Sequence, residues 1–139
     1  MTNGAPTIAD VLRWLLVPVA AAGAWAAAIA VGFALHDLIE RMCPPEDFVS
    51  GLCTASWFPF AERVVFCVSA ALAAGLIVIA CTFAAPRHRT VTAVVVLIIG
   101  TVAALAMAMA ADAYLELVAA VGTGVLAVRW LRRRHGARA

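Results

Sequence analysis

Hydrophobic positions fall into four long runs separated by short polar breaks. The first covers 11–35 and is interrupted only by Arg13. The second covers 64–85, opens after Glu62 and Arg63, and stops at Pro86. The third covers 91–111 and is rich in β-branched residues in its first half. The fourth covers 113–131 and is weakened by Glu116, which leaves 117–128 as its purely apolar part. A β-branched run reads as a strand in water, but an open strand in lipid leaves its backbone groups unpaired, so a helix is predicted. One helix over 91–131 would run about 60 Å, twice the hydrocarbon thickness, so a tight hairpin near Asp112 is predicted instead.

These patterns predict an all-α integral membrane protein: a four-helix transmembrane bundle in a single membrane domain over 1–139. The predicted spans are 11–37, 62–85, 91–111 and 113–131, with an outer loop over 38–61. Thr7 or Asp10 is a candidate cap for the first helix, and Pro18 predicts a mild bend inside it. The first run exceeds the roughly 7–15 apolar residues of a signal-peptide core, so it reads as a retained span. Pro44-Pro45 breaks the chain after it, and Ser50-Gly51 marks a turn in the loop.

Composition agrees with a chain solvated by lipid. The 139 residues are 65% hydrophobic and 13% charged, against roughly a quarter charged in soluble domains, and the mean hydropathy is +1.02. All ten basic residues are arginine, and the heavy use of alanine beside them suggests a GC-rich bacterial genome. Arginine placement predicts the threading. With the N-terminus inside, Arg13, Arg87, Arg89, Arg129, Arg132, Arg133, Arg134 and Arg138 lie in cytoplasmic segments, and only Arg41 and Arg63 lie outside. The expectation is therefore a bacterial inner-membrane protein with both termini cytoplasmic. Tyr114 and Trp130 are expected at the two interfaces of the last span.

The predicted outer side also gathers chemistry. Cys43 and Cys53 flank the Pro-Pro and Ser-Gly breaks, and an oxidising compartment favours a disulfide between them. That bond reads as a static staple or as a redox-active pair. Four helices with outward cysteines resemble, in outline, the DsbB and VKOR families of membrane thiol oxidoreductases, and the resemblance implies electron relay to quinone or periplasmic thiols. Those families carry a C-x-x-C pair and a second outward pair, both missing here, so no residue is carried over. Cys67 and Cys81 are about 21 Å apart along one helix and read as apolar fillers.

His36, Asp37, Glu40, Glu62, Arg63, Asp112 and Glu116 form an expected outer-face polar cluster. A metal site can be sketched from His36, Glu40 and Asp112 or Glu116, but solvated helix ends with an ion pair from Arg63 to Glu40 or Glu116 explain the same residues. No metal and no cofactor is predicted. Trp57, Phe58 and Phe60 read as a headgroup anchor or a contact patch.

No ionisable residue lies in the middle of a span, unlike the small multidrug transporters, which place a glutamate in their first span. Proton-coupled transport is disfavoured accordingly. Haem is disfavoured too, because His36 is the one histidine placed near the bilayer, with His88 and His135 cytoplasmic. The basic tail suits anionic lipid, and no nucleic-acid partner is expected. Small residues recur at helical spacing at Gly23 and Ala27, at Gly100, Ala104 and Ala108, and at Ala120 and Gly124, where backbones can approach closely.

The leading expectation is thus a non-enzymatic accessory or assembly subunit acting by helix packing, with other membrane subunits or copies of itself as partners. The alternatives are a thiol–disulfide oxidoreductase using Cys43 and Cys53, and a small transporter or flippase of an uncharged or lipid-linked substrate. For the last, Ser69, Thr92, Thr101 and Thr123 are the few polar groups available at membrane depth.

Overall fold

The structure is a computed structural model that describes residues 8–136, with side chains through 134. Thr7, Arg138 and the side chain of His135 lie outside the described residues. The four apolar runs are four helices: α1 (Ile8–Arg41), α2 (Phe58–Ala84), α3 (Arg89–Ala111) and α4 (Tyr114–Gly136). Each is long and apolar enough to cross a membrane, which is the organisation of a multi-pass membrane protein.

Local chemistry sets where each helix ends. α1 has 34 residues and is about 51 Å long, well beyond the roughly 30 Å of hydrocarbon. It continues through Pro18. Nothing between Asp37 and Arg41 breaks a helix, so α1 stops only where Pro44 disfavours the α region for its predecessor. Two three-residue-spaced bonds close its end, from Met42 N–H to Ile39 O and from Cys43 N–H to Glu40 O, at 3.2 and 3.0 Å. α2 starts earlier than the apolar run alone implies, because Pro59 sits in its first turn, where a missing N–H costs nothing. α4 runs five residues past Leu131, since its arginines are good helix formers.

The loop is more ordered than the expected turn. A short 3-10 turn (Pro45–Asp47) leads into an antiparallel hairpin of β1 (Phe48–Val49) and β2 (Leu52–Cys53), paired as Phe48 with Cys53 and Val49 with Leu52. Ser50 and Gly51 both take positive φ, 52° and 84°. Those values fit a two-residue hairpin turn whose twist matches its strands. At the α3–α4 turn Asp112 adopts the left-handed region, which its short polar side chain tolerates. The N–H groups of Asp112 and Ala113 both donate to Ala108 O.

α2 is the hub, packing against α1 on one flank and against α4 and α3 on the other. The hairpin loop and the Asp112 turn lie at one end of the molecule, here the hairpin end. The start of α1, the α2–α3 connection and the end of α4 lie at the other, the termini end. Ala28 is the only buried residue of α1. Gly32 explains the close fit of α1 on α2: a Cβ there would fall 2.8 Å from Ser69 Oγ. At the termini end Val78, Ala93, Ala127, Val128 and Leu131 join α2, α3 and α4 in a small core. Arg87 Nη2 donates to Asp10 Oδ2 at 3.0 Å and ties the α2–α3 connection to the start of α1.

The small-residue stripes divide. Gly124 meets Leu97, with 2.6 Å left for an added Cβ, and Ala108 is buried. Gly23 and Gly100 face open space.

Candidate functional site

Three features carry chemistry. The first is at the hairpin end, where α1 and α2 come together around His36. Its Nε2 lies 3.4 Å from Glu62 Oε1 on α2, and its Nδ1 lies 3.6 Å from Glu40 Oε1, one turn along α1. The Glu62 contact is within hydrogen-bond distance, and the Glu40 contact lies just beyond it. Phe58 meets the ring edge-on, with centroids 6.2 Å apart. The helix faces bring these residues together: Glu40 is the i+4 neighbour of His36, and Glu62 continues the α2 face that holds Ser69 against Gly32.

The other predicted members of this cluster stand apart from that bridge. Asp37 and Arg63 are exposed. Among the described residues, Arg63 forms no ion pair, and the carboxylates it was expected to meet are arranged differently: Glu40 faces His36, and Glu116 buries its Oε2 without a hydrogen-bond partner. Asp112 is exposed at the α3–α4 turn. No group of three or more His, Cys, Asp and Glu among the described residues is arranged to hold a metal ion, because the two ring nitrogens of His36 point to different carboxylates.

The second feature is the loop. Cys43 and Cys53 form a disulfide with Cα atoms 6.0 Å apart. The hairpin beside it is closed again by Thr54, whose N–H and Oγ1 both donate to Asp47 O at 2.8 Å. The aromatic trio splits. Trp57 and Phe60 are exposed, Phe60 at 75%, whereas Phe58 is buried beneath Trp57 and His36. Cys67 and Cys81 are free thiols, the latter buried and 3.7 Å from Val17 O.

The third feature is a half-open cavity of about 360 Å³ at membrane depth, between α2 and α3 and floored by α4. Sequence patterning marks Gly100, Ala104 and Ala120 as small, and all three line it. The gap itself is a tertiary property with no local signal. Its wall is hydrocarbon apart from Thr101, whose hydroxyl already donates to Leu97 O at 2.8 Å. The hydroxyls of Ser69, Thr82, Thr92 and Thr123 are bonded in the same way to the carbonyl four residues back, a pattern that satisfies a hydroxyl within its own helix.

Charge is polarised along the molecule. Among the described residues, the hairpin end holds seven acids and two arginines, and the termini end holds the other seven arginines with Asp10. Compared with known proteins, the chain matches no family model, no curated protein and no solved structure.

Proposed function

We propose that this chain is a non-enzymatic accessory or assembly subunit of a bacterial inner membrane, threaded four times with both ends in the cytoplasm. In this reading it works by lateral helix packing, in a larger complex or a homo-oligomer. The observation that carries it is the way α1 is held. One residue of its 34 is buried, and it packs mainly on α2. Gly23 has nothing within 4 Å of an added Cβ, and Ala27 one turn on is exposed. A small-residue stripe left open on a membrane helix lets a second helix approach closely. The arginine distribution supports the orientation. The doubly closed hairpin around Cys43 and Cys53 supports a structural role for that bond over a redox one.

Native mass spectrometry of the full chain, extracted in mild detergent, tests the proposal. A stoichiometric partner subunit or a defined homo-oligomer is expected, and Gly23→Leu should weaken it. A lone monodisperse monomer under those conditions overturns the reading.

A further inference from the structure

α2 and α3 are joined near the termini end by the cluster of Val78, Ala93, Val128 and Leu131. Beyond it the half-open cavity separates them, walled by Ala73, Ala74, Gly100 and Ala104, with Trp25 and Met107 adding larger side chains. The volume of about 360 Å³ lies within the range of ligand pockets, about 300–1,000 Å³. No polar group in it is free to bind a hydrated molecule, so hydrocarbon is the chemistry it accepts.

The helices also place charge at its hairpin end. Ala70 lines the cavity, and Arg63 precedes it by seven residues, which puts the arginine on the same face of α2. Asp112 follows the cavity-lining Met107 at the end of α3. Gly75 packs on Thr123, and α2 and α4 run in the same direction. Counting back from that contact sets Arg63 and Asp112 at one height, each about 17 Å from it. Both are exposed, and among the described residues neither is in an ion pair.

The geometry points to this cavity as the seat of one bilayer phospholipid of the zwitterionic, primary-amine class. Its acyl chain lies between α2 and α3, its phosphate on Arg63 and its ammonium on Asp112. A guanidinium suits phosphate oxygens, and an ammonium supplies three N–H donors to a carboxylate. The excess of acids at this end disfavours a head with net negative charge. The site is independent of whether the chain has protein partners.

Native mass spectrometry of the full chain, taken from bilayers of equimolar phosphatidylethanolamine, phosphatidylcholine and phosphatidylglycerol, tests this by the lipid it retains. One phosphatidylethanolamine per chain is expected, favoured about tenfold over phosphatidylglycerol, the scale of one charge-assisted hydrogen bond. Ala104→Phe, which fills the cavity, and Arg63→Gln should each reduce retention about as much. Asp112→Asn should remove the preference over phosphatidylcholine, whose head has no N–H. Among the described residues Arg63 and Asp112 have no ion pair to lose, so these two variants keep the test valid if Ala104→Phe fails to fold. Equal retention of the three lipids, preference for phosphatidylglycerol, or unchanged retention in a folded Ala104→Phe or in Arg63→Gln overturns the assignment.

Discussion

Gly32 of α1 lies so close to Ser69 of α2 that a Cβ on the glycine would stand 2.8 Å from the serine Oγ and 3.4 Å from its Cβ. The hydroxyl is held in place by its bond to Val65 O at 2.8 Å. Gly32→Ala therefore forces that hydroxyl away or pushes the helices apart. The expected cost is about 1–3 kcal/mol, the usual scale of overpacking, read as a lower midpoint of thermal unfolding in detergent. Ser69→Ala removes the clashing oxygen and leaves an ordinary contact. The double variant should recover most of the loss, and a strictly additive double variant would show that the seam is not packed this way.

The staple makes a local prediction. Closing a loop this short contributes roughly 2.5–3 kcal/mol in the chain-entropy account. With Cys43 and Cys53 both replaced by serine, hydrogen exchange should accelerate between residues 42 and 57 while the interiors of α2, α3 and α4 stay protected. Loss of protection throughout the helices would mean the bond supports more than the loop.

Phe58 and Phe60 are two residues apart and differ in role. Phe58 is 9% exposed and packs beside His36 and Trp57, while Phe60 is 75% exposed. Phe58→Ala should destabilise strongly, up to about 3–5 kcal/mol as for core aromatics, and Phe60→Ala should stay within about 0.5 kcal/mol, as exposed positions do. Denaturation of the two variants in the same detergent separates them, and equal losses would contradict the burial of Phe58.

How much of this was legible in the sequence depends on the range of the interaction. Pro44 and Pro86 punctuate the chain through their own backbone chemistry, and the break near Asp112 follows from the length a span can have, so the number of helices and the position of the loop are readable locally. The pairing of Cys43 with Cys53 is readable as well, because both lie in one short polar segment. The seam is not. Gly32 has no partner within its own helix, and its meaning appears only with Ser69, 37 positions away. The expected partners of Arg63 were misplaced for a related reason: the i,i+4 pairing of His36 with Glu40 is local, but the contact of His36 with Glu62, 26 positions away, appears only once α1 and α2 are packed. Gly23, Gly100 and Gly124 look alike as small residues, yet one faces open space on α1, one lines the cavity and one packs against Leu97.

The proposed threading puts hydrocarbon around these four helices and has arginine hold both chain ends on the cytoplasmic side. A topology reporter placed in turn after Ala139 and within the Ser50-Gly51 turn reads it out. A cytoplasmic signal is expected from the first fusion and a periplasmic signal from the second. A periplasmic signal after Ala139, or both positions on the same side, would contradict it.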